Sequence, residues 1–421
     1  MTRRLVRAVP PAAAWLLTRG FMLWVLTHSG PAALGNGRVA HEVWGLYHHW
    51  AHVLAHGAFP AHDTLWQYPP GAGLVMLAPA ALPGLTYLQA FVVLTLLADA
   101  TVAFALARSG TREGGSRLGF WYWTCGLPLL LHLPLARYDV LVTAFAVLAL
   151  LALPRFPRVG GALAALGALV KVWPVLVLLG TAKGRATRSA WTWAAGVGAV
   201  TFALLALVFR NSLSFLGNQG GRGVQIESLG GTLLGLARHS GWHGRVRYQY
   251  GAMEYVGPHV TAVADASLAL TGVAFAGLLL WRLRARRRTA ATSCDAALAA
   301  VLLFTVTSRV LSPQYLIWLL GLSAACLAAR HTVQRPVTVL IALAAVASIV
   351  VYPVLYRDVI VGTTTGAVLM LVRNGLLATA AVWSFVRLWR ATRPAPDPAP
   401  VPDTQPLAGP RPDQRVLTGA S

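Results

Sequence analysis

Eleven apolar runs divide the chain, at 9–28, 71–108, 117–135, 138–154, 159–181, 189–209, 258–282, 294–310, 312–330, 336–354 and 364–388. Each is long enough to enter or cross a hydrocarbon core of about 30 Å. Backbone in lipid has no water to satisfy it, so such runs read as helices, some of them broken by proline. The reading is all-α: a polytopic transmembrane helical bundle of about ten to twelve helices. Composition agrees, since 56% of the 421 residues are hydrophobic and only 11% charged, too little polar surface to cover a soluble globule. The +22 formal charge does not form a basic stripe interleaved with stacking aromatics, so nucleic acid is not an expected partner. Cys125, Cys294 and Cys326 have neither disulfide-framework nor zinc-site spacing.

The gaps between runs give an orientation. Arg3, Arg4 and Arg7 hold the N-terminus inside; Arg108, Arg112 and Arg117, then Arg155 and Arg158, then Lys183, Arg185 and Arg188, and finally "WRLRARRR" at 281–288 mark inside loops. For all of them to share one face, "GALAALGALVKVWPVLVLLG" at 161–180 must go in and come back, as a re-entrant or broken hairpin around Pro174. Residues 1–390 are expected to be one membrane domain, with extracytoplasmic loops at 29–69 and 210–257. The Pro-rich 391–421 reads as a disordered cytoplasmic tail.

With that orientation the outside face gathers "HEVWGLYHHW" and "HDTLWQYPP", "ARYD", "GGRGVQIESLGG", "SRVLSPQYLIW" and "YPVLYRD". Trp and Tyr belts are ordinary at any membrane boundary, but carboxylates such as Asp139 and Glu227 are not. His48, His52 and His56 would stack on one face of a helix over about 42–56, whose other face carries Val43, Leu46, Tyr47, Trp50, Val53 and Leu54. Three ligands on one straight helix do not converge on a metal unaided, so these histidines read as the solvated side of an interfacial helix. Glu42 and Asp63 are the acids of the first outside loop, and Asp139 is adjacent to Arg137, a local ion pair by sequence. Asp99, Asp265 and Asp295 have no evident role. Lys171 inside an apolar run, Arg222 and Arg309 are cations that want an anionic partner or ligand. One carboxylate to take a proton from an acceptor hydroxyl, with cations to receive a departing phosphate, suits glycosyl transfer from a lipid-linked phosphate sugar. No cofactor is needed for that chemistry, and whether a divalent metal takes part is left open.

"WQYPPG", "RYDVLVTAFAVLALLAL", "GALAALGALVKVWP", "RGVQIESL" and "SRVLSPQYLIWLL", in this order, resemble glycosyltransferase family 87. The resemblance implies a GT-C fold in the cell membrane, an extracytoplasmic active site and a polyprenyl-phosphate sugar donor, of mannose or arabinose. The acceptor would be a glycolipid or envelope polysaccharide. It implies a catalytic acid in the first outside loop before the Tyr-Pro-Pro segment. Glu42 stands at that position, one methylene longer than the family's aspartate, with Asp63 as the fallback base. Arg137, Tyr138, Asp139, Lys171, Arg222 and Arg309 are the expected donor and phosphate contacts, and Tyr68, Gln225, Glu227, Gln314 and Tyr315 the expected substrate contacts. Two other classes fit a polytopic chain with intramembrane cations: a transporter or flippase of a lipid-linked precursor, and an inactive relative serving as a partner subunit.

Overall fold

The computed structural model describes residues 2–28, 36–217 and 222–393, and the Pro-rich tail and part of the first loop lie outside the described residues. The fold is mostly helical. Helix α1 (Thr2–Thr27) is followed by α2 (Asn36–His41), a π turn (Glu42–Tyr47) and α3 (His48–Ala55), one continuous helical rod where the sequence suggested a helix from about 42. The run at 71–108 is two elements. Helix α4 (Gly71–Leu77) tightens into a 3-10 turn (Ala78–Ala81), and α5 (Tyr87–Gly110) starts afresh from a capping box of Thr86 and Gln89. Gly84 at φ +79 makes the turn between them.

Helix α6 (Leu118–Gly126) leads through 3-10 turns at Leu127–Leu130 and Leu133–Ala136 to α7 (Asp139–Ala152). Next come α8 (Pro157–Val170), a 3-10 segment (Trp173–Gly180), α9 (Arg185–Val208) and the single turn α10 (Ser214–Gly217). The stretch 210–257, expected as a loop, also holds α11 (Leu229–His239) and an antiparallel sheet of β1 (Val224–Gln225), β2 (Arg245–Gln249) and β3 (Ala252–Val256), ordered β1-β3-β2. Tyr250 and Gly251, both at positive φ, form the two-residue turn between β2 and β3, which match Gln249 to Ala252. Helices α12 (Val260–Arg284), α13 (Thr292–Thr307), α14 (Tyr315–Leu327) and α15 (Arg335–Ile349), a π turn (Val350–Val354), α16 (Tyr356–Val361) and α17 (Thr364–Ala391) complete the chain.

Among the described residues, five helical spans are long and apolar enough to cross a membrane: Tyr87–Gly110, Arg185–Val208, Val260–Arg284, Arg335–Val354 and Thr364–Ala391. The elements Gly71–Ala81, Asp139–Ala152, Pro157–Val170, Thr292–Thr307 and Tyr315–Leu327 are apolar but shorter. Length in the sequence did not separate the two kinds, because prolines and turns cut the apolar runs without adding charge. Helices α13 and α14 are buried over most of their residues and form the centre, whereas α9 and α12 present bare Val200, Leu207, Leu268 and Val273 to the surroundings. A helix so clothed belongs against lipid.

The broken hairpin is present. Helix α8 stops at Lys171, whose backbone is extended (φ −158, ψ 124), and Pro174 of the returning 3-10 segment packs over Gly167. Gly161 meets the Ala190 carbonyl so closely that a Cβ would stand 2.1 Å from it. At the other end of the segment, Arg282 and Arg288 donate to the Thr181 carbonyl at 2.7 and 2.8 Å. Both flanks of 161–180 thus return to the Arg-rich end of the bundle.

Asp99 has a structural role that the sequence did not disclose. Arg19 grips it with two donors, Nε to Oδ2 at 2.8 Å and Nη2 to Oδ1 at 2.7 Å, and the Trp15 and Trp123 indoles donate at 2.8 and 2.7 Å. The knot ties α1 to α5 and α6 with every carboxylate bond filled. Removing one partner of a buried pair strands the other, at a cost of about 3–5 kcal/mol. Asp99→Ala should lower stability on that scale, read as thermal unfolding in detergent, and Arg19→Leu combined with Asp99→Leu should recover part of the loss.

Candidate active site

Glu42 opens the π turn of the first loop. The turn buries Val43 and Tyr47, α3 adds Trp50, and the other side of the rod carries the exposed His48, His52 and His56. His48 packs on Tyr87, and the rings of His52 and His56 lie 4.9 Å apart. Among the described residues no three His, Cys, Asp or Glu side chains gather as a metal-binding group.

The segment after α3 explains its own prolines and glycine. Asp63 accepts from Trp50 Nε1 at 2.7 Å and from the Leu65 amide at 2.8 Å, so its carboxylate shapes the loop. Tyr68 then packs edge-on against Trp50, Trp66 and Tyr138. Gly71 begins α4 against the Leu169 carbonyl, where a Cβ would stand at 2.6 Å. Only glycine permits that approach, and it brings the Tyr68 loop to the end of α8, two residues before Lys171.

Arg137 and Asp139 are not a pair, contrary to their adjacency in sequence. Arg137 is extended (φ −143) while Asp139 is the first residue of α7, so the two side chains diverge. Arg137 Nη2 lies 3.2 Å from Glu42 Oε2, and its Nη1 donates to the Val39 and Ala136 carbonyls at 2.9 and 2.7 Å. Tyr352 sets its hydroxyl against the same guanidinium. Asp139, fully buried, accepts from Lys171 Nζ at 2.7 Å and Trp318 Nε1 at 2.6 Å. The Lys171 ammonium lies 5.0, 5.2 and 4.7 Å from the ring centres of Tyr138, Tyr315 and Trp318, within cation–π range. Tyr315 stacks on Trp318 at 3.9 Å, and Trp173 on the same indole at 5.2 Å. The Tyr138 hydroxyl, buried at the centre of this set, has no hydrogen-bond partner among the described residues.

Glu42, Tyr68, Arg137, Tyr138, Asp139, Lys171 and Tyr315 therefore share one place at the end of the bundle away from the Arg-rich loops. Arg222 is electrostatically coupled to Tyr68 and Tyr315, and is itself 3.4 Å from Glu254. Gln225 is a brace: its Oε1 accepts from the Leu311 amide at 2.8 Å, its Nε2 donates to Ser312 at 3.3 Å, and its amide donates to the Arg309 carbonyl at 3.0 Å. It fixes the Arg309–Gln314 segment to β1, with both its side-chain oxygen and its nitrogen engaged. Glu227 is buried and engaged elsewhere, 3.5 Å from the buried Arg373 of α17, which with Asn374 also holds the Glu227 carbonyl. The expected substrate contact at Glu227 is thus corrected to a buried tie between α11 and α17. Tyr352 is not singled out by the sequence, because nothing in its "YPVLYRD" segment signals a partner as distant as Arg137. Tyr248, on the edge strand β2, lies within electrostatic reach of Glu42 and was missed for the same reason.

An ionic cluster between helices that expose bare apolar faces makes this an integral membrane protein with a polar site at one end. The sequence profile of glycosyltransferase family 87 matches residues 66–313, more than half of the chain, and the protein belongs to that family. The matched span includes Tyr68, the Arg137–Asp139 segment, Lys171, Arg222 and Arg309, but neither Glu42 nor Asp63. No curated protein and no solved structure matches the chain.

Glu227 also supplies a pH signature. Burial pushes its carboxyl up to about 7 from an ordinary 4.5, and Arg373 at 3.5 Å offsets this only in part. Between those values the folded chain holds a proton that the unfolded chain has lost, so the contribution is full below about pH 4.5 and gone once pH has risen through about 7. Unfolding temperatures of wild type should therefore fall between pH 5 and 7 more steeply than those of Glu227→Gln, and parallel curves would contradict the assignment.

Proposed function

We propose that this glycosyltransferase moves a mannosyl or arabinosyl unit from a polyprenyl-phosphate donor to a glycolipid or envelope-polysaccharide acceptor on the extracytoplasmic face of the cell membrane. The fold proposed is GT-C, with about ten to twelve membrane-entering helices and both termini in the cytoplasm, since the Arg-rich gaps lie opposite the site. The supporting observation is the contrast between two neighbouring ion pairs. Asp139 is buried and spends its carboxylate on Lys171, which lies among aromatic rings with 15% of its side chain exposed, whereas Glu42 pairs with a buried Arg137 but keeps 29% of its own side chain exposed. Oε2 of Glu42 is engaged by Arg137 at 3.2 Å, and the side chain is not otherwise enclosed.

In the proposed reaction the acceptor hydroxyl oxygen bonds to the anomeric carbon while Glu42 takes the hydroxyl proton. The bond from that carbon to the phosphate oxygen breaks, and the phosphate leaves with the electron pair. Phosphate is a good leaving group without protonation, so a second carboxylic acid is not required. Lys171 with the Tyr138 hydroxyl, Arg137 and Arg222, and Arg309 from the α13–α14 turn, would meet the charge on the departing oxygens. Tyr68 and Tyr315, with Gln314 at the start of α14, would wall the sugar or the first prenyl units. The step needs no cofactor. Asp63, bound to Trp50 and Leu65, serves the loop in this reading.

Transfer from polyprenyl-phosphate sugar in membranes tests the assignment. Loss of a general base typically removes about 100- to 10,000-fold, so Glu42→Gln should fall by that order while still binding donor, and Asp63→Asn should keep most activity if it folds. Undiminished Glu42→Gln activity would remove the base assignment. Donor binding by wild type without turnover would favour the inactive-relative reading, and donor movement across vesicles without a new glycosidic bond the transporter reading.

A further inference from the structure

A large cavity lies remote from the cluster just described. It is a lateral groove of about 940 Å³ between α1, α5 and α6, at the upper end of the roughly 300–1,000 Å³ of ordinary ligand sites. Trp15, Leu16, Phe104 and Trp121 wall it, and Arg108 and Arg117 stand at one end. Leu16 and Phe104 are 63% and 70% exposed, so the groove opens sideways from the bundle rather than into its centre. Its deep side is rigid, because the Trp15 indole is held by Asp99 at 2.8 Å and Arg19 is stacked over the same ring.

Its position along α5 separates it from the donor site. Tyr47 of the first loop packs on Phe91, near the start of α5, whereas Arg108 is in its last turn. At about 1.5 Å rise per residue these levels are roughly 25 Å apart, close to the thickness of a hydrocarbon core. The groove therefore ends at the opposite membrane boundary from Glu42. Arg108 and Arg117 are exposed, and among the described residues neither forms a salt bridge. Between them in sequence, Arg112 and Glu113 cancel in charge and do not line the groove.

We propose that this groove holds one anionic phospholipid of the leaflet opposite the Glu42 site, with an acyl chain between Leu16, Phe104 and Trp121 and the headgroup phosphate between Arg108 and Arg117. Charge complementarity selects the occupant. An apolar trough alone would take any lipid tail, but two unpaired guanidinium groups at its mouth favour a headgroup with net negative charge over a zwitterion. The site is separate from the donor site, and its occupancy does not depend on which sugar is transferred.

The test uses the full-length protein, delipidated in detergent, with phosphatidylglycerol or phosphatidylcholine of identical acyl chains added back. Binding is read by native mass spectrometry and by thermal unfolding. Phosphatidylglycerol should bind wild type more tightly and raise its unfolding temperature more than phosphatidylcholine does. Arg108→Ala with Arg117→Ala should lose roughly 10- to 30-fold of that affinity, several-fold per cation. Ala107→Phe, which fills the groove and leaves both charges in place, should lose phosphatidylglycerol binding as well, and its unliganded unfolding temperature reports whether it folds. Equal affinity for the two lipids would overturn the proposal, as would phosphatidylglycerol binding unchanged in the double arginine variant. Inorganic phosphate reproducing the full stabilisation would also overturn it, as a free-anion site.

Discussion

The contact between Lys171 and Asp139 governs the architecture around the site. A cation placed in an apolar run is costly unless an anion meets it, and a carboxylate buried at the start of α7 is costly for the same reason. Satisfying both at 2.7 Å requires α8 to end at Val170 and Lys171 to be extended. It also requires the chain to fold back as the Trp173–Gly180 segment. Trp318 completes the carboxylate's bonds and thereby fixes α14. Around the ammonium, Tyr138, Tyr315 and Trp318 take positions that a neutral side chain would give them no reason to take.

The remaining ionic contacts divide by exposure. Arg19 with Asp99, and Arg373 with Glu227, have side chains at most 3% exposed on either partner, and each ties helices that are far apart in sequence. They are internal struts. Glu42 with Arg137 is built differently, with one partner sealed and the other accessible. In a protein whose charged residues are few, this difference separates carboxylates enclosed within the fold from one that stays partly exposed. It also puts the π turn at Glu42–Tyr47 in context, since the wider turn shifts the phase of the rod between its buried Tyr47 and the carboxylate at its start.

Much of this was legible in the sequence, where one type of signal dominates. Apolar runs and arginine gaps announced a membrane bundle, and the requirement that Arg155–Arg158 and Lys183–Arg188 share a face foretold the broken hairpin. The order of "QYPP", "RYD", "KVWP" and "SPQY" brought together Tyr68, Arg137, Tyr138, Asp139, Lys171 and Tyr315. Pairing was not legible. Arg137 and Asp139 are two residues apart, yet an extended backbone followed by a helix start sends them to partners 95 and 32 residues away. Asp99, Glu227 and Tyr352 have partners in distant segments that no local pattern connects. The β2–β3 hairpin was hidden because its strands are five residues each and its turn is Tyr-Gly rather than a stronger turn pair.

In the proposed function the donor phosphate sits at Lys171 and Tyr138, with its sugar carbon directed to Glu42. A cryo-EM structure of Glu42→Gln protein with a bound polyprenyl-phosphate sugar tests this most directly. The predicted result is phosphate density within hydrogen-bond reach, about 2.7–3.2 Å, of Lys171 Nζ or the Tyr138 hydroxyl, the anomeric carbon facing position 42 and the prenyl chain leaving between helices. Phosphate bound elsewhere, with position 42 remote from the sugar, would contradict it.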